Sequence, residues 1–330
     1  YLPDAEIEIL DEGLIGSVEL ENRMGCDVIG IQASSNLTYR RVLELAIRAK
    51  NCHDAFVVLG GPYASLMAER ILDARSFVDA VVVGPGEIAM VKIVKAILCK
   101  KTPADLRIPA VWSRIDGLPK EPPVSEAWSY ETARPLDYSL IPVGRYHANY
   151  KMRLDSSYQG AFQIFTHFGC RYRDLRRLNG RNWCTYCALG ESLVIREPRH
   201  VCDEIREAIA ATEIQEGSRL MLKCYGDNAS AIWESLDRLA DCLAKDLTLR
   251  KYDLSWSVYA QSSFVIPSVI DVFSRLGVAE VYIGFDSVDD TIQKLNGLGT
   301  SRSTHWKAAK LLSQAGIRVQ AGFVLGCEGE

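Results

Sequence analysis

The feature that most constrains this chain is an alternation: short apolar runs, each followed by a stretch of helical periodicity. In the first hundred residues "DVIGIQ" (27–32) precedes "TYRRVLELAIRAK", "AFVVLGG" (55–61) precedes "ASLMAERILDA", and "VDAVVVG" (78–84) precedes "EIAMVKIVKAIL". Continuous apolar runs separated by amphipathic helices predict a parallel sheet covered on both faces. The alternation resumes from Ala161, with candidate strands at 161–167, 219–226, 253–261, 280–287 and 318–326 and helical patterns at 200–213, 229–245, 265–276 and 302–315. The expected fold is therefore α/β. A doubly wound, Rossmann-like domain covers 1–105, a proline-rich linker 106–158, and a partial (β/α)6 barrel of the TIM type 159–330. Both domains are expected to be cut short at the chain ends. "EIEILD" (6–11) reads as a second strand whose predecessor is missing, and the last unit stops in a loop at Glu330.

The linker holds Pro109, Pro119, Pro122, Pro123, Pro135 and Pro142, which interrupt any long helix or central strand. A two-stranded excursion is expected around "PAVWSRIDGLPKEP", and the apolar "RPLDYSLIPVGRY" predicts a segment that wraps between domains rather than a loose tether. A net charge of -4 offers no general surface for nucleic acid or membrane. No run approaches the roughly 20 apolar residues that span a bilayer, and no signal-peptide pattern opens the chain, so a cytoplasmic location is expected.

Of ten cysteines, three stand apart. In "FGCRYRDLRRLNGRNWCTYCALGES" (168–192) Cys170 follows the first strand of the second domain, where barrel enzymes place their chemistry. Cys184 and Cys187, with Tyr186 between them, follow after thirteen residues that include Arg171, Arg173, Arg176, Arg177 and Arg181. Two readings are open. Three thiolates can hold three irons of a four-iron four-sulfur cluster and leave the fourth iron for a chelating ligand. Alternatively, His167 completes a Cys3His set with the spacing of a structural zinc knuckle. Against zinc stand the place of His167 in an alternating strand and the lack of any role for Tyr186 in a knuckle. The arginines read as a solvated loop, or as a contact for an anionic substrate or electron donor.

Ligands of open α/β sheets collect at the carboxyl ends of the strands. In the first domain those ends carry Ser34, Ser35 and Leu37, then Gly60, Gly61 and Pro62, then Gly84, Gly86 and Glu87. The glycines serve either tight turns alone or a ligand. In the second domain the ends carry Gly226, Asp227 and Asn228 in "YGDNAS", Gln261 in "SVYAQSS", Asp286 and Ser287 in "GFDSVDD", and Gly322, Val324 and Gly326 in "AGFVLG". An Asx turn is the plain alternative for Asp227, and a helix N-cap for Asp286.

Taken in order, the second-domain motifs resemble the radical S-adenosylmethionine superfamily. "CTYC" fits its C-x-aromatic-C pair, but the family's usual three residues between the first two cysteines have become thirteen. The resemblance implies a [4Fe-4S] cluster on Cys170, Cys184 and Cys187. It also implies S-adenosylmethionine held by Tyr186, Gly226, Asp227, Asn228, Gln261, Asp286, Ser287, Gly322 and Val324, with 226–228 at the methionine amine and Asp286 at the ribose. "SSNL", "GG" and "GPGE" resemble cobalamin-binding domains, which precede such cores in one large subfamily. That implies cobalamin on Ser34, Ser35, Leu37, Gly60, Gly61, Pro62, Gly84, Gly86 and Glu87. The D-x-H-x-x-G signature of many cobalamin proteins is absent, and His53, the one histidine of this domain, precedes its strand. The activity implied is reductive cleavage of S-adenosylmethionine to a 5'-deoxyadenosyl radical, followed by methyl transfer to an unactivated carbon of a small molecule or peptide. A flavodoxin or ferredoxin would donate the electrons. Cyclisation or rearrangement on the same apparatus is the second reading, and a non-catalytic cobalamin- or nucleotide-binding module with a zinc knuckle the third.

Overall fold

A computed structural model of the protein describes residues 5–101, 107–115, 118–120, 136–146, 157–180, 184–185, 187 and 193–330. It divides into two units, Tyr1–Trp128 and Ser129–Glu330, each with its own five-stranded sheet.

In the first unit β1 (Val28–Gln32), β2 (Phe56–Gly60) and β3 (Ala80–Val82) run parallel in that order. Successive side chains of a strand point to opposite faces, and both faces here are apolar. Val57, Leu59 and Val81 pack with residues of helices Asn36–His53 and Ala68–Ala74, whereas Val58, Ala80 and Val82 pack with residues of helix Glu87–Leu98. The sheet is covered on both sides, as its continuous apolar runs require. The stretch "VWSRI" forms β4 (Val111–Ile115) and "LPK" forms β5 (Leu118–Lys120), an antiparallel pair that extends this sheet beyond β3.

"EIEILD" is not a strand. Among the described residues β1 is hydrogen-bonded only to β2, so the alternating pattern has no ladder to join. Ile7 and Ile9 stay half exposed, and Asp11 instead caps the short helix Glu12–Ile15, its side chain accepting the Gly13 N–H at 2.8 Å.

In the second unit β6 (Gly160–Ile164) is followed by a short antiparallel pair, β7 (His167–Phe168) and β8 (Val194–Ile195). The sequence pattern of 161–167 therefore runs past the real end of β6. Then come β9 (Arg219–Cys224), β10 (Asp253–Ala260), β11 (Val278–Asp286) and β12 (Arg318–Phe323). The parallel strands lie in chain order, β6-β9-β10-β11-β12, which is the order of a barrel wall. One face, with Leu220, Leu222, Trp256, Val258, Val281 and Ile283, packs in one core with Ile205, Leu239, Phe273 and Leu312 of the covering helices. Tyr138, Ile141 and Val143, from the proline-rich stretch, pack into this same core. Helix ends follow local chemistry. Gly277 stops helix Pro267–Leu276 in the left-handed conformation, and Ser301 with Thr304 forms a capping box that starts helix Arg302–Gln314. Among the described residues no helix is long and apolar enough to cross a membrane.

Candidate cluster and ligand sites

Past β6 the chain turns through Gly169, whose φ of 80° suits a residue without a side chain. The Gly169 N–H donates to Asp227 Oδ2 at 2.9 Å. Asp227 therefore reaches across to the first turn of the cysteine segment instead of making an Asx turn on its own strand. Burial raises its carboxyl, and the Gly169 bond opposes that.

Cys170 is the N-cap of helix Arg171–Leu178, so the insert begins as a helix and not as a solvated loop. Tyr172 and Arg173 are buried in it, and Arg171 donates to the Ala231 carbonyl at 3.0 Å. Arg181 and Tyr186 lie outside the described residues. The Cys187 N–H donates to the Cys184 carbonyl at 3.1 Å, closing the CxxC turn. All three thiols are free and partly buried. Burial pushes the Cys184 thiol up to about 12, and the neighbouring charges of Cys187, Cys170 and Asp286 push the same way. Burial likewise raises Cys170, partly offset by the Arg173 and Tyr172 amides, with Cys187 and Asp227 adding to the rise. The three sulfurs and the acidic ends of β9 and β11 thus share one electrostatic neighbourhood. Thiolates there need a cation to be stable.

The end of β9 rests on His167, which is fully buried. Its Nε2 accepts the Asn228 N–H at 3.1 Å, which leaves the proton on Nδ1 to donate to Thr166 Oγ1 at 2.9 Å. Burial pulls this imidazole down to about 4, so it is neutral near pH 7. Gly226 has no alternative as a residue type: a Cβ there would lie 1.9 Å from His167 Cε1. Asn228 is itself buried, and its side chain donates to Gln261 Oε1 at 3.3 Å and accepts from Ser230 Oγ at 2.7 Å. The ends of β9 and β10 are joined through these amides.

Asp286 is not a helix N-cap; Asp289 caps helix Asp290–Leu295. Asp286 sits at a register shift between β11 and β12 with φ 57°, a conformation that is uncommon for residues other than glycine and that gathers at functional sites. Its carbonyl accepts the Val324 N–H at 3.0 Å. Ser287 is buried, its Oγ accepting the Asp289 N–H at 3.1 Å and its carbonyl accepting from Gln293. At Gly322 a Cβ would lie 2.1 Å from Tyr282 Oη, so this glycine seats a tyrosine.

The three loops of the first unit all leave the carboxyl edge of β1–β3. Ser35 is the N-cap of Asn36–His53, and Ser34 is exposed beside it. Gly61 has φ 95°, and a Cβ on it would lie 2.9 Å from the Ala33 carbonyl; Pro62 then opens helix Pro62–Leu66. The Gly84 N–H donates to Ser65 Oγ at 3.1 Å, tying the third loop to the second, and Gly86 caps the helix that starts at Glu87. Leu37 is 88% exposed and Leu66 69%, apolar side chains at a loop edge with nothing over them among the described residues. His53 ends its helix just before β2, at the opposite edge.

Residues 13–94 match the family described as the B12 binding domain, and residues 168–330 match the radical SAM superfamily. The chain joins a B12-binding domain to a radical SAM domain. It is similar to an uncharacterised methyltransferase of Pyrococcus horikoshii, 23% identical over 309 residues that make up 92% of this chain and 61% of that protein. It is also similar to the anaerobic magnesium-protoporphyrin IX monomethyl ester cyclase of Rubrivivax gelatinosus, 21% identical, with 92% and 52% covered. Its fold is similar to that of the radical S-adenosylmethionine methyltransferase TsrM of Kitasatospora setae, solved with tryptophan and a S-adenosylmethionine analogue bound. The TM-score is 0.70 at 18% identity, covering 95% of this chain and 59% of that one. The chain thus spans roughly half to three fifths of the length of these proteins.

In the radical SAM domain the zinc reading loses its fourth ligand, because both nitrogens of His167 are engaged by protein. Among the described residues no three His, Cys, Asp or Glu side chains, the three cysteines included, are grouped to hold a single ion. The sequence pattern singled out Cys170, Cys184, Cys187 and the strand ends as candidates. It did not identify His167 as the support beneath "YGDN"; the signal was the glycine at 226, whose missing side chain marks a close approach.

Proposed function

We propose that this chain is the cobalamin- and S-adenosylmethionine-binding part of a radical enzyme that transfers a methyl group to a carbon of a small molecule or peptide. The observation that carries the proposal is the shared neighbourhood of Cys170, Cys184 and Cys187 with Asp227 and Asp286, at the carboxyl ends of β9 and β11 on either side of β10. Three free, partly buried thiols whose ionisation is disfavoured in isolation suit a cationic iron-sulfur group better than bulk water. Gly226, Asn228, Gln261, Asp286, Ser287, Gly322 and Val324 border the same mouth as ligands for S-adenosylmethionine. Asp227 uses one carboxylate oxygen on the Gly169 turn, so it acts on that ligand and on the cysteine segment together. In the B12-binding domain the Gly61 cradle and the uncovered Leu37 and Leu66 suit a large, partly apolar ligand. No histidine of residues 1–128 sits at that edge to ligate cobalt from below. When bound, the cofactors supply one-electron cleavage of a carbon-sulfur bond and a methyl carrier, while the protein positions and shields them. Electrons would come from a flavodoxin or ferredoxin.

Anaerobic reconstitution with iron and sulfide tests this. The expected result is broad visible absorption bleached by dithionite, release of 5'-deoxyadenosine, and loss of both in Cys170→Ala. Stoichiometric zinc with no deoxyadenosine would overturn it. The cyclase among the relatives keeps ring formation as a second reading. A labelled methyl group from S-adenosylmethionine appearing in the product decides for methyl transfer, and a product without label decides against it.

A further inference from the structure

The two cysteine segments are tied to a third piece of chain. After helix Asp290–Leu295 comes "NGLG" (296–299), and Asn296 is 2% exposed. Every polar atom of its side chain is used. Oδ1 accepts from Thr185 Oγ1 at 2.9 Å, and Nδ2 donates to the carbonyls of Ile292 and Glu328, both at 3.0 Å. The Asn296 carbonyl also accepts the Thr185 N–H at 3.1 Å. Thr185, directly after Cys184, is therefore held twice by one residue.

The next residue holds the other side of the insert. The Gly297 carbonyl accepts from Tyr172 Oη at 2.7 Å, and Tyr172 lies two residues after Cys170. A Cβ on Gly299, whose φ is 67°, would lie 2.3 Å from the same hydroxyl, so "NGLG" is shaped around this tyrosine. The Leu298 carbonyl accepts from Gln261 Nε2 at 2.9 Å, linking the segment to the end of β10. Consecutive Cα atoms are about 3.8 Å apart. Two anchor points on neighbouring residues thus set the spacing of two segments that are thirteen residues apart in sequence.

We propose that Asn296 is the positioning residue of the cysteine loop. With Gly297 it fixes the Cys184–Cys187 turn relative to Cys170, the task that a short spacer would otherwise perform. Asn296 touches no sulfur; it acts through Thr185. The inference rests on the cluster reading above, and it concerns how firmly and in what geometry the cluster is held.

The test uses the full chain, reconstituted anaerobically, in four forms: wild type, Thr185→Val, Thr185→Ser and Asn296→Ala. Thr185 is at the surface, so its variants leave the fold intact even if Asn296→Ala does not. The readouts are iron and sulfide per chain, the rate of iron loss to a chelator, and the electron paramagnetic resonance spectrum of the reduced cluster. Thr185→Val loses one hydrogen bond, so iron loss should quicken by about ten-fold with a shifted spectrum. Thr185→Ser keeps the hydroxyl and should match wild type. Asn296→Ala should exceed Thr185→Val. Wild-type spectra and chelation rates in both Thr185→Val and Asn296→Ala would overturn the proposal, as would equal damage from serine and valine. If the wild type takes up no cluster, the functional reading fails first and the clamp with it.

Discussion

Substituting Gly226 by alanine probes the packing just past the end of β9. The new Cβ would lie 1.9 Å from Cε1 and 2.1 Å from Nδ1 of His167. The ring is fully buried and bonded at both nitrogens, so it cannot rotate away without breaking its bonds to Thr166 and the Asn228 N–H. Overpacking of a core costs about 1–3 kcal/mol, and a buried polar group left unpaired costs about 1–3 kcal/mol more. For a unit of this size, roughly 4 kcal/mol lowers Tm by on the order of 10 °C. Thermal unfolding followed by circular dichroism measures it. His167→Ala removes the obstacle, so Gly226→Ala should cost far less in that background than in wild type. A Tm within about 2 °C of wild type, or costs that simply add in the double variant, would refute the argument.

Acid should weaken the second unit through the same histidine. Its folded value lies near 4 against 6.5 for a free imidazole, so only the unfolded chain takes up the proton in that window. Stability is intact above about 6.5 and falls as pH drops towards 4, by up to roughly 3 kcal/mol. Urea midpoints at several pH values, compared with His167→Ala, check this; an equal slope in both proteins would count against it. In the B12-binding domain Gly61→Ala combines a positive φ with a contact of 2.9 Å to the Ala33 carbonyl. It should cost about 1–3 kcal/mol and weaken cobalamin uptake in a spectrophotometric titration. Near the end of β12 Gly322→Ala should displace the Tyr282 ring, and adding Tyr282→Phe should restore only part of the lost stability, because the ring carbon Cζ would still lie 2.7 Å from the new Cβ after the 2.1 Å contact to the hydroxyl is gone. Calorimetry of the single and double variants reads the difference.

What the sequence carried was periodicity. Helix Glu87–Leu98 lies where "EIAMVKIVKAIL" predicts it, and β10 and β12 begin at the residues their patterns indicate, because burial on a face repeats along the chain. Periodicity fails where the partner decides. "EIEILD" alternates well but has no neighbouring strand among the described residues, and "AFQIFTH" keeps its pattern past Ile164 although the ladder with β9 stops there. The site divides the same way. Cysteines and glycines are visible as letters, and their spacing suggested chemistry. The φ of Asp286, the reach of Asp227 to Gly169 and the grip of Asn296 on Thr185 join residues 58 and 111 positions apart in the last two cases, and no local pattern encodes them.

The long spacing between Cys170 and Cys184 looks at first like a departure that should weaken a cluster site. Its thermodynamic cost is small. Lengthening a flexible loop from three residues to thirteen is about two doublings, on the order of 1 kcal/mol in closure entropy, and a single hydrogen bond contributes about as much. Helix Arg171–Leu178 also orders more than half of the thirteen residues. What a long spacer loses is geometry, since it no longer dictates where the second sulfur stands. Here Asp227 grips the turn before Cys170, Gly297 grips Tyr172 after it, and Asn296 grips Thr185 beside Cys184. Each contact comes from outside the spacer, from the end of β9 or from the loop after helix Asp290–Leu295. On the cluster reading proposed above, the geometric information then lies in the barrel and not in the spacer, which is how a CxxC pair and a distant cysteine would act as one site.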